Sequence, residues 1–252
     1  LKSVPHHLLN LYDIDHKLDV YDFVKLAEKA ITDIHSRGKI AIIAGGTGFY
    51  IKSLLYGLDP LPGDAKLRAK LDAEYDNPEG YEKLKVRMQN EDPADFERWH
   101  QHRRKLIRAL EVFLLTGKSI TELQTLYKPK LRFPAISWNL VWDREELKRR
   151  IAKRTQIMLD AGWIEEARQA IAAGILNTPT AHQVLGYRTI SEYLNNEIDY
   201  DTMRERIITK TWQLARRQIT WFKRQHPETE NIQMPADYEI LKEKFKHYLK
   251  NR

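Results

Sequence analysis

Phe23, Leu26, Ala27, Ala30, Ile31 and Ile34 recur at intervals of three and four residues, which places them on one face of a helix. Asp19 stands where a capping side chain is needed, so the pattern predicts an amphipathic helix from there to about Gly38. The texture then changes to Lys39-Ile40-Ala41-Ile42-Ile43-Ala44, a continuous run rich in branched side chains, which suits a strand covered on both faces by helices. Gly45-Gly46-Thr47-Gly48 follows, and Phe49 to Tyr56 resumes helical spacing. Helix, buried strand, glycine turn and helix, in that order, predict an α/β layered domain with a parallel sheet.

From about Pro60 to Phe133 the chain reads differently. Charged helical segments at Lys66 to Tyr75, Gly80 to Gln89 and Asp95 to Thr116 are separated by breakers at Pro62, Pro78, Pro93 and Gly117, with no buried strand among them. Ile136 to Val141 returns as a second strand candidate, followed by helical segments at 145–161, 163–173, 182–194, 202–225 and 238–250. The expected organisation is a core formed by 1–60 and 134–252, with 61–133 as a helical insertion.

Composition narrows the function classes. A chain of 252 residues is long enough for a core carrying an inserted domain. Its formal charge of +7 favours an anionic partner. With no cysteine, a disulfide framework, a thiolate zinc site and a cysteine nucleophile are excluded, and a cytoplasmic setting is expected. The apolar runs fall far short of the roughly 20 residues a membrane helix requires, so no membrane association is expected. His6, His7, His100 and His102 match no common metal-ligand spacing, and Glu165 and Glu166 fit the solvated face of a helix.

Three basic constellations stand out. In the segment from Met203 to Gln225, Ile208, Trp212, Ala215, Ile219 and Phe222 form an apolar stripe, while Arg206, Lys210, Arg217 and Arg224 lie two residues out of phase. Two residues are about 200° of helical rotation, so this helix is expected to pack on one side and present positive charge on the other. Arg216, Gln218, Thr220 and Lys223 add donors suited to a phosphate backbone and base edges; a merely solvated basic helix is the plain alternative. Arg150, Lys153 and Arg154 fall on one helix face, with Arg144 one to two turns earlier, a grouping able to hold a diphosphate. Arg103, Arg104, Lys105 and Arg108 open a helix at the end where the dipole disfavours cations, which points toward an anion contact. The glycine turn at 45–48 offers backbone N–H groups at a helix start, but no Gly-Lys-Ser/Thr follows, so it is not a Walker A loop.

Taken together, VPHHLLN (4–10), IAGGTGFYIKSLLYGL (43–58), IRALEVFLLTGKS (107–119), MLDAGWIEEA (158–167), LGYR (185–188) and RRQITWFKRQ (216–225) resemble the tRNA dimethylallyltransferase family across nearly the whole chain. The resemblance implies an α/β fold with a P-loop NTPase-like parallel-sheet core and an inserted helical domain. It implies transfer of a dimethylallyl group from dimethylallyl diphosphate to N6 of adenosine 37, beside the anticodon of tRNA, with Mg2+ assisting the diphosphate, by a monomeric enzyme. The target base must leave its stack to be reached.

The same resemblance assigns Thr47, Arg68, Arg104, Lys105, Leu106, Ile107 and Arg108 to the tRNA. It also assigns there the loop Gln183, Val184, Leu185, Gly186, Tyr187 and Arg188, and the helix Arg216, Arg217, Gln218, Ile219, Thr220, Trp221, Phe222 and Lys223. Arg150 and Arg154 are assigned to the diphosphate. The family's first strand, Walker A loop and likely catalytic aspartate are expected upstream of Val4, so this stretch by itself is expected to be inactive. Thr189 also departs from the glutamate or glutamine usual after GYR. Adenylate isopentenyltransferases, P-loop kinase-like phosphotransferases and non-catalytic RNA-binding modules are the alternative readings.

Overall fold

The computed structural model describes residues 4–59, 61–126, 130–178, 180–225 and 229–250; Pro60, named above as the start of the insertion, lies outside them. The chain forms two compact units, one from residues 1–55 with 133–252 and the other from 56–132.

In the first unit, helix α1 (Val20–Ser36) begins at Asp19, whose carboxylate accepts from the Tyr21 and Asp22 N–H groups, while Asp22 reaches back to the Asp19 N–H. This reciprocal cap satisfies donors that a helix start otherwise leaves unpaired. Helix α1 buries Val24 and Ala27 against Leu54 of α2 (Gly48–Tyr56), with Phe23 and Phe133 at the margin. The predicted strand at 39–44 is not formed, and Ile42 and Ile43 are 69% and 45% exposed. A strand holds only where a neighbour completes its ladder, and among the described residues the paired strands are β1 (Trp138–Trp142) and β2 (Glu230–Met234).

Strands β1 and β2 run parallel, with Leu140 opposite Ile232 and an Asn139–Asn231 side-chain hydrogen bond of 2.9 Å beside them. Parallel neighbours need a crossover, supplied by α8 (Arg144–Asp160), α9 (Trp163–Ala172), α10 (Tyr187–Leu194) and α11 (Tyr200–Gln225). A core of Leu159, Trp163, Ala167, Ile190, Met203 and Ile207 joins these helices. Helix α12 (Tyr238–Lys250) returns to the sheet, its Phe245 ring edge-on to Trp138 and its Lys244 paired with Glu230 at 2.8 Å.

The second unit is helical throughout its described elements: α3 (Ala65–Tyr75), α4 (Pro78–Glu91), α5 (Pro93–Trp99), α6 (Arg103–Thr116) and α7 (Ile120–Leu126). The segment predicted as one helix from Asp95 to Thr116 is divided at 100–102, and α7 was not foreseen. Asp64, Asn77 and Asp92 cap α3, α4 and α5, with Pro78 and Pro93 at first helical positions where a missing N–H costs nothing. Leu71, Leu84, Met88, Leu106, Ile107 and Leu110 make the core.

Helix α7 is placed by a buried carboxylate. Asp95, fully buried, accepts from the Ile120 N–H at 2.7 Å, the Thr121 N–H at 3.0 Å and the Thr121 hydroxyl at 2.6 Å. Neighbouring Asp92 caps Asp95 through Oδ1 at 3.2 Å, while its Oδ2 is buried with no partner among the described residues. Burial pushes the Asp92 carboxyl above its usual range, aided by the Asp95 charge and only partly countered by the Asp95 N–H.

Two stability predictions follow from these contacts. Asp95→Ala strands the buried Ile120 N–H and is expected to cost about 3 kcal/mol, read as a lower urea midpoint with α7 frayed. Asp92→Asn keeps the cap and removes a charge that burial disfavours, so it is expected to raise the melting temperature by about 3 °C at neutral pH. Because the folded-state pKa of Asp92 is raised, protonation favours the native protein. The advantage of the asparagine therefore shrinks as pH falls through the carboxylate range, and calorimetry at two pH values checks it.

Candidate nucleic-acid interface

The glycine turn lies directly against the carboxy-terminal half of α11. A Cβ placed on Gly46 would sit 2.3 Å from the Gln218 amide nitrogen, and one on Gly48 would sit 2.0 Å from the Trp221 indole. Both distances are far below contact, so the backbone approaches this closely only without side chains. Phe49 meets Trp221 edge to face at 6.3 Å between centroids, and Lys52 donates to the Gln225 amide oxygen at 2.8 Å. Thr47 is exposed beside this junction, at the start of α2. The Trp221 indole N–H is buried with no acceptor among the described residues.

The inward row of α11 differs from the predicted stripe. Met203 and Ile207 are fully buried, whereas Ile219 is 52% exposed. The contact row is rotated by about one residue because α11 packs on α8 and α10 along its first half and on the glycine turn along its second. Trp212 faces Arg144 and Lys148 of α8, each cation 5.4 Å from its ring centroid.

The basic row divides along the helix. Arg206 pairs with Glu192 at 2.8 Å, and Lys210 donates to the Thr189 hydroxyl at 2.7 Å, so both are engaged with α10. Arg216, Arg217, Lys223 and Arg224 are exposed, and none makes an ion pair among the described residues. Arg216, Arg217 and Arg224 line an open depression with Thr220 and Trp221, combining cations, a hydroxyl donor and an aromatic edge. Such a surface suits a phosphate backbone with an unstacked base nearby. Phe222 is half-buried.

In the loop before α10, Gln183 and Val184 face solvent and Leu185 is half-buried, and Arg188 in the first turn of α10 is exposed. Gly186 and Tyr187, assigned to the tRNA by the resemblance, are both buried and have structural roles. Gly186 has φ of +100°, and a Cβ there would lie 2.6 Å from the Trp163 ring. Tyr187 is buried and donates to Glu166 at 2.6 Å. Burial first, and the Glu166 carboxylate second, push the Tyr187 phenol up to about 12. Glu166, expected to be merely solvated, thus holds the loop's tyrosine.

The proposed diphosphate arginines lie on α8. Arg150 stacks on Trp142, 3.9 Å from the ring centroid, and Arg154 is exposed. Among the described residues no three His, Cys, Asp or Glu side chains meet in a way that would hold a metal ion.

In the second unit, Leu106 and Ile107, assigned to the tRNA by the resemblance, have fully buried side chains that pack the core. Arg104 is exposed, and Lys105 lies over Trp99 at 4.3 Å. Arg103 pairs with Asp76 at 2.6 Å, which offsets part of the unfavourable charge at the start of α6. Arg68 and Arg108 both bond to the buried Glu111, which the sequence did not single out. Burial would push the Glu111 carboxyl up, but the two guanidiniums and the Asp64 N–H outweigh it and hold it below its usual range. Its signal in the sequence is an acid within an otherwise apolar helix face, one turn after Ile107.

Comparison with known proteins identifies the family. A family model described as IPP transferase matches residues 1–225. The tRNA dimethylallyltransferase of Geobacter sulfurreducens is 37% identical over 241 residues, 94% of this chain and 77% of that protein. That of Paenarthrobacter aurescens is 39% identical over 225 residues, covering 88% and 71%. The crystal structure of the tRNA isopentenylpyrophosphate transferase of Staphylococcus epidermidis superposes with a TM-score of 0.66 at 27% identity, covering all of this chain and 82% of that one. A eukaryotic dimethylallyltransferase acting on tRNA shares the fold, with a TM-score of 0.79 over 67% of its chain at 24% identity. No described helix is long and apolar enough to cross a membrane. With the family model spanning all but the last 27 residues and relatives more than a third identical over most of its length, this chain belongs to the IPP transferase family.

Proposed function

We propose that this protein modifies tRNA by transferring a dimethylallyl group from dimethylallyl diphosphate to N6 of adenosine 37, beside the anticodon. Family membership supports the reaction class. The observation that carries the substrate is the seating of the glycine turn that bears Thr47 against Gln218 and Trp221, in the stretch of α11 that also carries the exposed Arg216, Arg217 and Arg224. A free nucleotide needs no such run of cations; an RNA backbone does. The parallel β1–β2 pair joined through helices supports a P-loop NTPase-like core.

In this reading the α11 arginines hold the phosphates flanking the target base, and Thr47 presents a hydroxyl donor and acceptor where that base leaves its stack. Trp221 gives the turn a fixed wall. The adenine N6 forms a bond to the allylic carbon as the carbon–oxygen bond to diphosphate breaks, and the amine proton passes to a base. Arg150 and Arg154 offer positive charge to the departing diphosphate. Arg150 is held by its stacking on Trp142 while its N–H groups stay accessible at the ring's rim. Magnesium would supply further charge on the diphosphate, and no step here is routed through it.

The test is a salt titration of binding to an anticodon stem-loop, read by fluorescence anisotropy. Arg217→Ala is expected to weaken binding several-fold and to reduce the slope of log affinity against log salt by about 1. Unchanged affinity and slope would remove α11 from the RNA interface.

A further inference from the structure

Glu111 is 2% exposed, yet it carries a charge and faces two cations. Its carboxylate accepts from the Arg108 guanidinium at 2.6 Å, from Arg68 Nη2, and from the Asp64 N–H at 3.0 Å. A second Arg108 nitrogen donates to the Leu61 carbonyl at 3.3 Å. The turn at 61–64 closes one side: a Cβ on Gly63 would lie 3.2 Å from Arg108 Nη1 and 3.5 Å from Glu111 Oε1. The two arginine side chains remain 30% and 31% exposed, although Arg68 Nε is buried with no partner among the described residues, so any outward donors are the terminal nitrogens.

One arginine would neutralise Glu111, and the second leaves positive charge in excess. Arg104 and Lys105 lie one turn before Arg108 on α6, Lys105 over Trp99, and add positive charge to the same helix without contacting Glu111. Stability alone does not account for this, because a buried ion pair is often no better than an apolar replacement. Each guanidinium carries five N–H donors in a rigid plane, and Glu111 takes only part of that set.

We propose that Glu111 is a positioning residue that holds the Arg68 and Arg108 guanidiniums as a paired fork whose outward N–H groups receive a phosphate of the RNA backbone. Glu111 itself touches no RNA. Its contribution is to fix two planar donors before the RNA arrives, so that little side-chain freedom is lost on binding. This inference rests on the proposed function, and it assigns the 56–132 unit a phosphate contact made by two arginines through a third residue.

The sign of the effect separates positioning from charge. Glu111→Gln adds one positive charge, which by electrostatics alone tightens binding to a polyanion. Positioning predicts the reverse: affinity for the anticodon stem-loop falls about tenfold, equivalent to losing one bidentate charge-assisted contact. Glu111→Asp, which keeps the charge but retracts the carboxylate, is expected to weaken binding as well. Helical circular dichroism and the melting curve show whether each variant folds. If Glu111→Gln does not, the half-exposed pair Arg68→Lys and Arg108→Lys decides, since both keep charge and lose the fork; weakened binding supports the inference.

Unchanged or tighter binding by folded Glu111→Gln, or by the lysine pair, overturns the inference while leaving the function reading intact. If the unsubstituted chain binds the anticodon stem-loop no better than an unrelated hairpin, the function reading falls and this inference with it.

Discussion

The contact between the glycine turn and α11 is the constraint on which the candidate interface depends. Gly48 lets the backbone approach the rigid Trp221 ring to a distance that any side chain would prevent, and Gly46 admits the Gln218 amide alongside. That approach joins the turn bearing Thr47 to the arginine-carrying half of a helix that begins far along the chain. The rest of the first unit serves this junction. Helices α8 and α10 grip the first half of α11 through Trp212, Glu192 and Thr189, leaving the second half to carry exposed charge. A 26-residue helix held along its first half and exposing cations along its second is a rigid mount for the proposed phosphate-binding surface.

The second unit uses buried carboxylates in a comparable way. Asp95 fixes the start of α7 through three hydrogen bonds, and Glu111 gathers two arginines beside the 61–64 turn. In both cases an acid within the core orders elements that the apolar side chains alone leave loosely specified. Leu106 and Ile107, next to the basic residues of α6, show the division of labour within one helix: the core positions set the rotation, and Arg104, Lys105 and Arg108 take the direction it gives them.

Much of this was legible from residue spacing. The capped helix after Asp19, the helical character of 61–133 and the exposure of Arg217 and Arg224 all follow from periodicity and capping chemistry. The ordered set of motifs, from VPHHLLN to RRQITWFKRQ, identified the family, which the curated relatives and solved structures then showed. What escaped were contacts between segments distant in sequence. A glycine turn read by itself suggests a phosphate site, whereas Gly48 is required by Trp221. The run at 39–44 has every local feature of a buried strand, yet strand formation depends on a neighbour that local sequence does not specify. Lys210 looked like a free cation until α10 brought Thr189 to it.

The central claim is that the 45–48 turn and the second half of α11 form one RNA-facing surface. Hydrogen exchange on the full chain, with and without an anticodon stem-loop, addresses both segments together. Slowed exchange at 46–49 and at 213–225, appearing at the same RNA concentration, is the result expected. Protection confined to one segment, or absent from both while binding is saturated, would contradict it.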